Sequence, residues 1–141
     1  MINKSKAHKS ITNLIIILTL AGCSDNIVNE CNDGVDSTVK AEFNDIQSKV
    51  LDISCALTGC HHTNTRQAGL DLTAGESYLN LVNHSSSEQP DLMRVLPGSS
   101  AESYLIRKLN GEGTTRMPLN GKLSDTTIDS ISAWIDRGAN P

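Results

Sequence analysis

Cys55-Ala56-Leu57-Thr58-Gly59-Cys60-His61 is the stretch on which the reading of this 141-residue chain turns. Two thiols are separated by four residues, and an imidazole follows the second directly. Covalent haem attachment needs two thiols that reach the vinyl groups on one porphyrin edge, with an imidazole immediately after the second so that its ring lies under the iron. The usual spacing is C-x-x-C-H. Here the Cys60-His61 step is intact and the gap between the thiols is four residues instead of two. Gly59 allows the longer loop to fold back, because glycine accepts backbone angles that other residues resist. Two other chemistries use the same residues. One is a plain disulfide between Cys55 and Cys60, formed in an oxidising compartment. The other is a zinc site using Cys55, Cys60, His61 or His62, for which no fourth ligand stands out.

Outward from this site the pattern is helical. Phe43, Ile46, Val50 and Leu51 fall at helical spacing, so a first amphipathic helix is expected to end at Cys55. Thr73-Ala74-Gly75-Glu76 has the form of a capping box before a short helix with Tyr78, Leu81 and Val82 inward. Ser99-Ser100-Ala101-Glu102 is a second such box, before a helix that carries Leu105 and Leu109 and stops at Gly111. Ser124 caps a last helix in which Ile128, Ile131, Trp134 and Ile135 share a face, with Gly138 as its stop. Polar loops run from His84 to Pro97 and from Gly111 to Gly121. No segment alternates with the period of a strand, and no repeat is present. The expected fold is all-α, with about four short helices and long loops.

Such a domain has little to bury. It spans about 100 residues and holds one Phe, one Trp and two Tyr, and cores of this size are marginal. A large apolar group at the centre would give helices and loops a common surface to pack on.

The N-terminus carries a different signal. Lys4, Lys6 and Lys9 form a basic region, and Leu14 to Leu20 an apolar run of seven residues, too short to span a bilayer. Leu20-Ala21-Gly22-Cys23 then resembles the lipobox of bacterial lipoproteins, which implies cleavage after Gly22 and lipid on the Cys23 thiol. Ser24 resembles the outer-membrane sorting signal of Gram-negative lipoproteins. The expected layout is therefore a signal peptide over 1–22, a flexible Asn/Asp/Ser-rich tether over 23–40 and one folded domain over 41–141. The expected place is outside the cytoplasm, anchored by lipid to the outer membrane and facing the periplasm. Loss of residues 1–22 removes three of twelve basic residues and none of sixteen acidic ones, leaving nine against sixteen and a net charge of −7. That balance argues against a nucleic-acid partner.

In a polar loop before the last helix stands Arg116-Met117-Pro118. With the Cys60-His61 step, the Ala68-Gly69-Leu70-Asp71-Leu72 segment, Val95-Leu96-Pro97-Gly98, Ser103-Tyr104-Leu105 and Trp134-Ile135 through Gly138-Ala139, the order of elements resembles a known group. It is similar to class I c-type cytochrome domains, as in bacterial cytochrome c domain lipoproteins with a single C-x4-C-H site. The resemblance runs from Phe43 to Ala139 and implies one covalent haem c. Cys55 and Cys60 would be thioether attachments, His61 the proximal iron ligand and Met117 the distal one. It also implies that the first and last helices cross, with Phe43 and Trp134 near the crossing.

His/Met ligation leaves no position for a small-molecule substrate and raises the potential relative to two imidazoles. The implied function is electron transfer with redox partner proteins, not enzymatic catalysis. Alternatives are a non-redox, disulfide-stapled helical binding module of the cell envelope and an accessory haem domain of a larger oxidoreductase complex. Among rival ligands, His62 reads as a solvated loop residue, His84 as a possible substitute for Met117, and Met93 as packing beside Leu92 and Val95. Cys31 is an odd thiol in the tether. No hydrolase elbow, phosphate loop or catalytic carboxylate pair is present.

Overall fold

The computed structural model describes residues 38–141. The signal peptide, the lipobox with Cys23, Cys31 and all but the last three residues of the expected tether lie outside the described residues. Packing starts slightly ahead of the expected boundary at 41, with Val39 resting on the core.

The chain is helical, and no strand forms among the described residues. Helix α1, Phe43–Ile46, runs without a break into a π-helical segment, Gln47–Cys55. The Ala56 amide donates to the Leu51 carbonyl at 2.7 Å and closes its last wide turn. Closure on the fifth residue brings side chains four and five positions apart into line. Ile46, Val50, Leu51 and Cys55 therefore face one side, while Ile53 stands in solvent at 64% exposure. A 3-10 turn at Gln67–Gly69 is followed by α2, Ser77–Leu81, α3, Tyr104–Asn110, and α4, Asp125–Asp136. Val82 pairs with Val95, Ser85 with Met93 and Leu96 with Ser99 in isolated bridges that fold the 82–99 segment on itself.

The most regular element is α4. Ser124 accepts a hydrogen bond from the Thr127 amide, which satisfies one of the unpaired donors of the first turn. Its buried side chains are Ile128, Ile131, Trp134 and Ile135, the face expected from spacing. Gly111, at φ +76°, closes α3 in the left-handed conformation and lets the returning chain pass close by.

The two expected capping boxes do not form. The Thr73 hydroxyl donates to Asp71 Oδ1 at 2.6 Å and does not reach the α2 amides. Ser100 gives its amide and its hydroxyl to Asp136, at 2.7 and 3.0 Å, and α3 starts at Tyr104, after Ser103, without a side-chain cap. For Thr73 the competing partner is local, two residues back; for Ser100 it is tertiary. Buried Ser103 accepts from the Leu96 amide and donates to the Ser99 carbonyl, tying the segment before α3 together.

The core joins the first helix to α4. Ile46, Val50 and Leu51 pack with Ile131, Trp134 and Ile135, and Leu72, Leu81, Val95 and Leu109 come from the intervening segments.

Candidate functional site

A cavity of about 690 Å³ opens between the first helix, α3, the last helix and the loops. Cys55, Cys60, His61 and Met117 all line it, so residues far apart in the chain converge on one apolar space. Ile53, Leu57 and Leu119 also border it, and they are exposed to solvent at 64%, 45% and 69%.

The Cys60-His61 step is held by backbone hydrogen bonds on both sides. The π-segment ends at Cys55, whose carbonyl accepts from the His61 amide at 3.1 Å. The enlarged gap turns through the Cys60 amide on the Leu57 carbonyl at 2.9 Å, with Gly59 at φ +90°. Beyond it, the Gln67 amide donates to the Cys60 carbonyl at 3.1 Å and the Leu72 amide to the His61 carbonyl at 2.8 Å.

The imidazole is fixed in the same way. His61 Nδ1 lies 3.1 Å from the Gln67 carbonyl. A carbonyl can only accept, so Nδ1 carries the proton and Nε2 of the neutral ring keeps its lone pair, the form that ligates a metal. Burial pushes the His61 pKa below its usual value, against the hydrogen bonds to Gln67 and Leu70, with Arg94 and Lys108 acting in the same direction as burial. Cys55 is pushed up to about 11, first by burial and then by the neighbouring Cys60. Both cysteines are free thiols, Cys55 half-buried and Cys60 exposed.

Met117 is half-buried, and its amide donates to the Lys108 carbonyl at 2.8 Å. The Met117–Pro118 peptide is cis, and both residues line the cavity. The rival ligands stand elsewhere. His84 is exposed, with Nδ1 donating to the Ser85 carbonyl at 3.1 Å. Met93 is surface-exposed rather than packed in, and its sulfur accepts from the Ser85 hydroxyl at 3.9 Å. His62 accepts from the Asn64 amide at 3.3 Å. None of the three lines the cavity. Among the described residues no three His, Cys, Asp or Glu side chains converge as a metal site would require.

Sequence reasoning passed over Arg94. Its side chain lines the cavity at 7% exposure and donates from Nη1 to the Asn80 carbonyl at 2.8 Å. No carboxylate lies within ion-pair distance of it among the described residues. Desolvation lowers its pKa, with no anion opposing the shift. The available signal was a lone charge inside the apolar run Leu92-Met93-Arg94-Val95-Leu96. Near it, Glu88 Oε2 accepts from the Tyr104 hydroxyl at 2.8 Å and from Lys108 Nζ at 2.9 Å, and all three residues line the cavity.

No protein-family model, curated protein or solved structure matches this chain.

Proposed function

We propose that this chain is an exported, lipid-anchored c-type cytochrome that carries one covalent haem c and transfers electrons between redox partner proteins. The observation that carries the reading is the apolar cavity that Cys55, Cys60, His61 and Met117 line together. Its volume falls within the range of about 300–1,000 Å³ that small-molecule and cofactor sites occupy.

The residues present fit the group. The two thiols would make the thioether links, and His61 offers an unprotonated Nε2 because the bond to the Gln67 carbonyl keeps the proton on Nδ1. Met117 supplies a soft sulfur donor from another wall. Arg94 is a buried cation with no carboxylate beside it among the described residues, and a haem brings carboxylates of its own. When bound, the haem supplies a one-electron couple at its iron. With His61 and Met117 both occupied in holding it, no position is left for a substrate, so the protein acts by accepting and passing electrons. The four-residue gap is accommodated by the turn at Leu57–Cys60 and the positive φ of Gly59.

The lipid anchor on Cys23, and with it residence on the outer membrane facing the periplasm, rests on the lipobox of the sequence alone.

The intact mass of the exported protein, made with haem-maturation machinery, tests the reading. The expected product carries the added masses of one haem and the lipid, and stays red after acid and denaturant. A colourless product whose mass fits a Cys55–Cys60 disulfide would overturn it in favour of the stapled binding module.

A further inference from the structure

The loop that carries Met117 has few ties to the rest of the domain. Between 113 and 121, one backbone–backbone hydrogen bond leaves the segment among the described residues, from the Met117 amide to the Lys108 carbonyl. The other attachment is made by a side chain three residues earlier. Thr114 Oγ1 lies 3.0 Å from the Tyr104 hydroxyl and 3.3 Å from Lys108 Nζ.

Donor counting orders this cluster. Glu88 can only accept, and its Oε2 takes the Tyr104 proton and one Lys108 proton. The Tyr104 oxygen is then free to accept from the Thr114 hydroxyl, whose lone pairs accept a second Lys108 proton. Every member is satisfied, and Lys108 and Tyr104 are largely sheltered from water, which strengthens the bonds. The Lys108 ammonium also lies 5.9 Å from the Tyr104 ring centre. Through one carboxylate oxygen, the 84–97 segment, α3 and the Met117 loop are joined.

We propose that Glu88, Tyr104, Lys108 and Thr114 form a latch that holds Met117 in the cavity wall, with Thr114 deciding how readily Met117 leaves and an outside ligand takes its place. These are positioning residues, since none of them supplies the sulfur. The inference rests on the haem reading for its ligand-exchange consequence, but the latch itself can be read without haem.

The test uses the full exported chain as wild type, Thr114→Val and Thr114→Ser, with two measurements on each. Hydrogen exchange of the 114–117 amides, above all that of Met117, which is bonded to the Lys108 carbonyl, reports the loop directly. Valine keeps the shape and removes the hydroxyl, so exchange is expected to quicken at least tenfold, while serine restores the wild-type rate. Imidazole titration of the haem protein reports access to the iron, and its affinity is expected to rise about tenfold in Thr114→Val and not in Thr114→Ser. Unchanged exchange in Thr114→Val overturns the latch. Faster exchange with unchanged imidazole affinity overturns the link to ligation. If Thr114→Val does not fold, Tyr104→Phe removes the opposite hydroxyl and must quicken the same amides, or the proposal fails. A protein without haem would overturn the proposed function, while quickened exchange in Thr114→Val would still support the latch.

Discussion

The rings of Phe43 and Trp134 lie 5.4 Å apart between centroids, tilted by 32°, and bind the start of the first helix to the middle of the last turns of α4. Tyr78 meets Phe43 edge-on at 5.1 Å and 78°, and its hydroxyl donates to the Ala139 carbonyl at 3.0 Å. Trp134 Nε1 donates to the Asn140 carbonyl at 2.7 Å. Three of the four aromatic side chains are thus spent on one junction, and they bring α1, α2, α4 and the C-terminal segment together. Because Phe43 is half-buried, its truncation removes less than a full core ring. Phe43→Ala is expected to destabilise the domain by about 2–4 kcal/mol in urea unfolding. A loss below about 0.5 kcal/mol, the level of an ordinary surface change, would show that the junction does not support the fold.

Met117→Ala should separate the two faces of the proposed site. Under the proposed function the haem would remain attached through Cys55 and Cys60, so the intact mass is expected to keep its increment. The weak long-wavelength band of methionine bound to ferric iron disappears, and the reduction potential falls, because a thioether ligand favours the reduced iron. A wild-type spectrum without that band, or one unchanged in Met117→Ala, would remove Met117 as the ligand.

The two thiols differ in reach, and burial suppresses the thiolate of Cys55. Cys60 is exposed, whereas Cys55 is half-buried with its pKa pushed up to about 11. The thiolate is the nucleophile, and at pH 8 Cys55 holds almost none. In haem-free protein, iodoacetamide at that pH is expected to label Cys60 at least ten times faster than Cys55, as peptide mapping reads it. Equal labelling would mean that the π-segment opens and exposes Cys55.

Acid should weaken the loop behind His61 before it affects the core. Asp71 accepts from the Thr73 hydroxyl and amide, at 2.6 and 3.0 Å, and faces Arg66 Nε at 3.3 Å. Those hydrogen bonds, the Thr73 hydroxyl first, lower its pKa to about 2. A carboxyl whose folded pKa lies below its unfolded value of about 3.9 stabilises the fold fully above that value and loses its contribution as pH falls toward 2. The melting temperature should therefore drop between pH 4 and pH 2, and more steeply in wild type than in Asp71→Asn. Parallel curves for the two proteins would assign the acid sensitivity to other groups.

What could be read from sequence was whatever is periodic or strictly local. The α4 face of Ile128, Ile131, Trp134 and Ile135, its Ser124 cap and the Gly111 stop are set within a few residues and appear where spacing places them. The Thr73 box failed because the hydroxyl turns back to Asp71, two residues earlier, and in the Ser99 box Ser100 is drawn to Asp136, 36 positions away. The π-segment was not foreseen, since Ile46, Val50 and Leu51 fit an α-helix equally well and only the hydrogen-bond closure distinguishes the two. Cys55, Cys60, His61 and Met117 were legible as chemistry. Arg94 and the Glu88 cluster were not, because their meaning lies in burial and in contacts 14 to 20 positions apart, such as Arg94 with Asn80 and Glu88 with Lys108.

At the entrance to the domain, the Arg137 guanidinium donates to the Ala41 carbonyl, and Lys49 holds the Thr38 carbonyl at 3.0 Å. Tension arriving along the chain at residue 38 is therefore not delivered first to the loops around the cavity. It passes sideways into the longest and most regular helix and into the π-segment. Were the proposed lipid anchor to pull on this end, the load would enter α4 and the π-segment before it reached Cys60, His61 and Met117.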